Sequence, residues 1–183
     1  ESQLQASYGR WQHLNGDLLA ARTACTNAQQ LAQQNGAYLE EQRALIYLGH
    51  VLTELGEFEA AKQSYQKAIA LHKAGNWFYR TAEAYAGLAS LLLTQKEVAN
   101  AVTQVEAALE LLAQYGLAAA NEPFMVYWAC VRVLMTAGDS RATEVLRTAY
   151  ESLQEIAHQL TDVTLRHSFL ENLPCNRELN TFA

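Results

Sequence analysis

The sequence predicts an all-α fold in which four consecutive helix pairs stack into a solenoid and a C-terminal helix caps the end. Similar segments open at Gly16, Gly56 and Lys96, and a fourth opens at Gly138. The constant interval of about 40 residues between the first three is typical of helical repeat arrays. Ala, Leu, Gln and Glu, which are strong helix formers, fill the segments. No window of the sequence shows the strict apolar–polar alternation of a half-buried strand.

Turn residues delimit the first three pairs. We predict helices at 2–14 and 17–34, at 39–55 and 57–74, and at 79–94 and 97–115. Gly36, Gly75 and Gly116 end the second helices, because glycine readily takes the left-handed conformation that closes a helix. Asp17 and Glu57 follow turn glycines, and each lies in a first turn, where the helix dipole favours an acid.

The fourth pair and the end of the chain show weaker patterns. We predict helices at 122–137 and 139–159 and a last helix at about 161–171, with Pro123 in a first turn, where its missing N–H costs nothing. Pro174 is expected to end the regular structure. Leu165 and Phe169 would cover the last exposed face of the core. The expected single domain, 1–183, thus has repeats at 2–36, 39–76, 79–116 and 122–160 and a cap at 161–173.

Small side chains return in register along the first three pairs. They occupy three sets of positions: Gly9, Gly49 and Ala89; Ala21, Ala61 and Ala101; Ala28, Ala68 and Ala108. Where two helices cross closely, only small side chains let the backbones approach. We therefore expect these positions to lie inside the array.

The second repeat resembles the tetratricopeptide repeat family in the order of its large, small and aromatic residues. The matching positions are Leu45, Leu48, Gly49, Leu52, Gly56, Ala61, Tyr65 and Ala68. The first and third repeats match less fully and the fourth is degenerate, but the resemblance extends over about residues 2–160. It implies a right-handed α–α superhelix with a non-catalytic role in binding proteins or peptides. The period is longer than the one usual in the family, as in extended repeats of bacterial signalling proteins.

The tail is similar to segments that close such arrays in large bacterial multidomain regulators. The similarity lies in residues 165–174 and 176–179. It implies a regulatory domain joined to a sensor ATPase, kinase or cyclase, and a small-ligand-sensing role controlling that domain is the alternative to peptide binding. A simpler interpretation is a polar-faced cap, which every solenoid needs for solubility. Because the chain begins at Glu1 rather than Met, we expect a fragment of a longer protein.

Composition limits the expected partners and location. The net charge of −6 argues against direct nucleic-acid binding and against binding to anionic membranes. Cys25, Cys130 and Cys175 lack the spacing of a disulfide framework, which favours reduced thiols and a cytoplasmic location. Cys25 and Cys130 fall at core positions, whereas Cys175 is expected to be exposed. The sequence has no apolar run long enough to predict a transmembrane helix.

Catalytic motifs are missing from the sequence. It contains no glycine-rich phosphate loop, no GxSxG turn and no HExxH zinc motif. The histidines have no metal-ligand spacing with the cysteines. We therefore expect no enzyme activity, no cofactor and no metal.

The predicted binding site is a concave groove lined by the first helix of each pair, as the resemblance implies. Its candidate residues are Arg10, His13, Arg43, His50, Glu83, Trp128 and Arg132. Arginine suits a carboxylate because its planar fork donates two parallel hydrogen bonds, and Trp128 could anchor an apolar side chain. The expected partner is a protein or an acidic peptide, which other domains of the same chain could supply. Ordinary solvated arginines in an array that only spaces domains are the competing interpretation.

Three adjacent aromatic residues, Trp77, Phe78 and Tyr79, follow the second pair. We expect them to pack between pairs two and three, and a docking edge for a partner is the alternative. A contiguous exposed apolar patch would favour docking.

Overall fold

Helices build the whole part of the chain that the structure, a computed structural model, describes, namely residues 1–75 and 80–181. Within these residues it contains ten α-helices, a short 3₁₀ turn at Gly116–Ala119 and no strand. The helices are α1 Ser2–Leu14, α2 Leu18–Gln34, α3 Tyr38–Glu54, α4 Phe58–Gly75, α5 Ala82–Thr94, α6 Val98–Tyr115, α7 Pro123–Ala137, α8 Arg141–Gln159, α9 Val163–Glu171 and α10 Pro174–Thr181. Consecutive helices pack as pairs, which confirms the predicted all-α solenoid. The predicted aromatic cluster at 77–79 lies outside the described residues.

Left-handed residues close the turn within each pair. Gly16, Gly56 and Gly138 have φ angles of 82°, 77° and 67°. Lys96 stands at the same place in the third pair with φ 64°, a conformation that costs a non-glycine residue free energy. The recurrence of this conformation once in every repeat explains why the turns were visible in the sequence.

Small residues line the contacts between helices, as predicted. Ala21, Ala61 and Ala101 are fully buried. A Cβ atom added to Gly49 would lie 2.6 Å from the Tyr65 ring, and one added to Gly87 would lie nearer still. The Tyr65 ring therefore fills the space that two glycines on α3 and α5 leave open.

The C-terminal cap differs from the prediction. Pro174 begins α10 instead of ending the regular structure, because the first turn of a helix needs no N–H from that residue. Leu179 of α10 is fully buried, whereas Leu165 of α9 is 60% exposed, so the predicted role of Leu165 was wrong. Phe169 does pack on the core, with its ring 6.0 Å from that of Phe124 in an edge-to-face arrangement. The cap consists of both α9 and α10.

Candidate functional site

All seven predicted site residues lie on the first helices of the four pairs. α1 contacts α3, α3 contacts α5 and α5 contacts α7, so these helices form one continuous surface, here called the first-helix face. Arg10 and His13 lie on α1, Arg43 and His50 on α3, Glu83 on α5, and Trp128 and Arg132 on α7. Four of the seven are brought together, and the others occupy separate places on the face.

Arg10 spans from the first pair to the fourth. Its Nε donates to Glu122 Oε1 at 2.6 Å, and its Nη2 donates to the second oxygen of the same carboxylate. Nη1 lies 2.8 Å from His13 Nδ1, and the guanidinium stands over the Tyr47 ring, 5.9 Å from its centroid. The side chains of Arg10 and Glu122 are 15% and 31% exposed. This bidentate ion pair links α1 to the start of α7.

Beneath this ion pair lies a buried histidine–glutamate contact. His50 Nδ1 is 2.8 Å from the Tyr65 hydroxyl, and its Nε2 is 4.0 Å from Glu83 Oε1. Glu83 Oε2 accepts a hydrogen bond from the Asn121 backbone N–H at 3.1 Å. His50 Nε2 and Glu83 Oε1 are both buried, and neither has a hydrogen-bond partner within the described part of the chain.

Burial controls the protonation of this contact. Burial raises the pKa of Glu83 to about 7, and the nearby Glu122 charge acts in the same direction, while the Asn121 N–H and Arg10 oppose it. Burial also places the pKa of His50 well below its usual value, with Arg10 and His13 adding to this effect. His50 is therefore neutral at pH 7, so its contact with Glu83 is not a full salt bridge.

His13 completes the assembly, here called the Arg10 network, which comprises Arg10, His13, His50, Glu83 and Glu122. His13 Nε2 lies 2.8 Å from Glu54 Oε1, and its ring stacks on that of His50 at 6.5 Å. Sequence reasoning missed Glu122, because it read residues 121–123 only as a helix start. No local pattern pairs it with an arginine 112 residues away.

Arg43 lies in a separate cleft. Leu39, Gln42, Ile46, Arg80 and Asn121 line the cleft with it. The Arg43 Nε is buried and has no hydrogen-bond partner among the residues that the structure describes. Arg80 Nη1 donates to Asn121 Oδ1 at 3.3 Å, which places a second guanidinium in the same cleft.

Trp128 and Arg132 lie one turn apart on α7. Trp128 is partly buried against the core, and Arg132 is exposed. Burial raises the pKa of the Cys175 thiol on α10 to about 11, and the Arg132 charge is among the groups that oppose this rise. Cys175 is thus partly buried instead of exposed as predicted, and Arg132 lies at the border between α7 and the cap.

The Arg10–Glu122 pair should contribute measurable stability. In a double-mutant cycle of Arg10→Met and Glu122→Gln, we expect a coupling energy of about 1–3 kcal/mol, because removing one partner leaves the other partly buried charge unpaired. Chemical denaturation of the four proteins measures it. The matched control is Arg147–Glu151 on α8, a pair with both side chains about 60% exposed, which should give at most about 0.5 kcal/mol. Equal coupling in the two cycles would contradict a structural role for the pair.

Stacked helix pairs that share a line of small residues define the chain as a helical repeat solenoid. Residues 42–73, which cover most of α3 and α4, match the sequence model of the tetratricopeptide repeat. This segment is therefore similar to one tetratricopeptide repeat, and the match leaves the other three helix pairs uncovered. A search of curated proteins found no match.

Two further findings concern membranes and metals. Among the helices of residues 1–75 and 80–181, none has the length and apolar character needed to span a membrane. Over the same residues, no group of three or more His, Cys, Asp or Glu side chains is placed to hold a metal ion.

Proposed function

We propose that the chain is a non-catalytic module that binds a protein or peptide within a bacterial signalling or regulatory protein. Tetratricopeptide repeats generally mediate protein–protein interaction, and their fold is typically non-catalytic. The thiols are consistent with this role, because burial raises the pKa of Cys25 and of Cys130 to about 12. A nucleophilic cysteine needs the opposite change.

The observation that supports a binding role for the first-helix face is the Nε–H of Arg43, which is buried and has no acceptor among the described residues. A buried N–H without an acceptor costs free energy that a bound oxygen atom would recover. The guanidinium of Arg80 lines the same cleft, so a carboxylate at the mouth of the cleft would lie near two positive groups in a protein of net charge −6. The preferred partner is therefore an acidic or C-terminal peptide segment, with Trp128 and Arg132 farther along the face for an apolar and an acidic side chain.

The Arg10 network has a structural role instead of a binding role. Glu122 already occupies the fork of Arg10, and Glu83 is fully buried. Arg10, His13, His50 and Glu83 therefore set the spacing of the first helices, while Arg43, Trp128 and Arg132 contact the partner.

Reversal of charge tests the proposal. Arg43→Glu and Arg132→Glu should each weaken binding to acidic peptides with free C-terminal carboxylates by about tenfold or more, because a charge-assisted hydrogen bond becomes a repulsion. The measurement is titration against an immobilised library of such peptides. Arg147→Glu on α8 is the matched control, since it makes the same charge change away from the first-helix face. Equal binding by all three variants would remove the groove from consideration.

The alternative function is sensing of a small ligand that controls a fused ATPase, kinase or cyclase. A deep pocket that contains an arginine together with Trp128 would favour it. Trp128 is not among the residues that line the cleft at Arg43, so Arg43 and Trp128 do not share one pocket, and this favours peptide binding.

The setting of the module is proposed on compositional grounds. Free cysteines and the net charge of −6 support a cytoplasmic location, without direct binding to nucleic acid or membranes. Other domains of a longer chain are candidate partners for the face.

A further inference from the structure

The N-terminal end of the array carries an exposed apolar surface, here called the end face. On α1, Leu4, Tyr8 and Trp11 are 75%, 50% and 57% exposed, and the rings of Tyr8 and Trp11 stack at 5.9 Å. On α2, Leu19 is 69% exposed. Large apolar side chains grouped in this way mark an interaction surface.

The repeat register shows what normally covers such a surface. Positions 4, 8 and 11 recur one and two repeat periods later on α3 and α5, where most of their side chains are buried: Ala44, Val51, Ala84 and Leu91 at 0% exposure and Leu88 at 5%. α3 packs against α2 and α5 packs against α4. The covering element is therefore the second helix of the preceding pair.

A pair of matching clefts supports the same conclusion. The cleft on the end face is lined by residues that include Tyr8, Ala20 and Thr23. The cleft one repeat period later is lined by the corresponding Leu48, Ala60 and Gln63, and its other wall is Arg22, Thr26 and Gln29 of α2. The end face therefore corresponds to the surface of α3 and α4, but it lacks a helix in the place that α2 occupies.

Side-chain sizes at the helix contacts indicate what the incoming helix carries. Tyr65 of α4 packs on Gly87 of α5. One repeat period earlier, the small Cys25 stands at the position of Tyr65 and the large Tyr47 stands at the position of Gly87, and both belong to one core cluster. In each case a small side chain on one helix accompanies a large one on the other. Ser7 occupies the repeat position of Gly87 on α1 and is exposed. Its small size leaves room for a large side chain opposite.

We propose that the end face receives the second helix of one more helix pair of the same repeat class, placed ahead of α1 as α2 is placed ahead of α3. A large side chain in the position of Tyr65 packs against Ser7. Glu1 stands at the repeat position of Glu41, which accepts a hydrogen bond from Gln29 of α2 at 3.0 Å. Glu1 would accept the corresponding hydrogen bond from the added helix. A second copy stacked head to tail fits less well, because α9 and α10 already cover α8 at its other end.

A tandem duplication tests this proposal. A copy of residues 1–40 is fused ahead of Glu1, so that the second helix of the copy precedes α1 at the natural period. In the copy, Cys25→Tyr supplies the large side chain that packs against Ser7 of the original chain. Trp11→Phe in the copy ensures that the signal at this position comes only from Trp11 of the original chain. Fluorine NMR of the protein labelled with 5-fluorotryptophan, assigned with a host Trp11→Phe variant, reports the exposure of Trp11.

We expect the Trp11 resonance to lose most of its H₂O/D₂O solvent shift, and we expect the fusion to unfold at a higher denaturant concentration than the unextended chain. The matched control retains Cys25 in the copy and should show a smaller gain. An unchanged solvent shift overturns the proposal, as does a copy that adds no helix to the circular dichroism spectrum. Self-association of the unextended chain that Trp11→Glu abolishes would show that a second copy is the occupant, which also overturns it.

Discussion

Replacing Gly87 with alanine is expected to lower the free energy of unfolding by about 1–2 kcal/mol, although alanine forms helices better than glycine by about 1 kcal/mol. The new Cβ would overlap the Tyr65 ring. That ring cannot retreat, because it also lies against Gly49 and its hydroxyl is held by His50. Urea denaturation of the variant and the parent measures the difference.

The control for this prediction is the same change in a Tyr65→Leu background. A smaller side chain leaves space for the Cβ, so Gly87→Ala should then raise the free energy of unfolding by up to about 1 kcal/mol. Tyr65→Leu alone should be destabilising, because it removes a fully buried ring from the core. A Gly87→Ala variant that is more stable than the parent with Tyr65 present would contradict the close packing of Tyr65 on Gly87.

Glu83→Gln is expected to make the protein more stable above pH 7 and to leave its stability nearly unchanged at pH 4.5. Burial raises the pKa of Glu83 to about 7 from the usual 4.5, so the folded protein binds a proton that the unfolded chain releases. Stability is then fully present below pH 4.5 and is lost as the pH rises to about 7. The loss is on the order of 3 kcal/mol, and glutamine avoids it because it carries no charge.

Denaturation across pH 4.5–8 tests this prediction, with Glu110→Gln on exposed α6 surface as the matched control. His50 acts in the opposite sense, because its lowered pKa removes stability as the pH falls through 6.5. The difference between the parent and Glu83→Gln cancels the His50 contribution to a first approximation, since both proteins retain His50. Parallel pH profiles for the parent and Glu83→Gln would show that Glu83 is not held in the raised-pKa state.

The repeat register is why the sequence was informative about the fold. Helices in close contact need small side chains at regular intervals, so Ala61 and Ala101 could be identified without coordinates. α10 was not predicted, because Pro174 is a stop signal for a helix that precedes it and an equally good start signal for a helix that follows it.

The predicted site residues lie on the first helices, and the structure shows what each of their side chains contacts. The positions of Arg10, Arg43 and Arg132 on the first helices follow from the period. Whether each guanidinium is available does not, because that depends on a carboxylate supplied from elsewhere in the fold. Arg10 is taken by Glu122, while Arg43 has a buried N–H without an acceptor among the described residues.

Helix propensity and spacing along one chain were enough to establish the all-α repeat, the turns and the small residues inside the array. Three features needed the packed helices before they could be seen: Glu83 buried beside a neutral His50, α10 completing the cap, and the end face left uncovered. Burial and ion pairing between distant helices depend on the distances that packing sets, and those distances have no counterpart in local sequence.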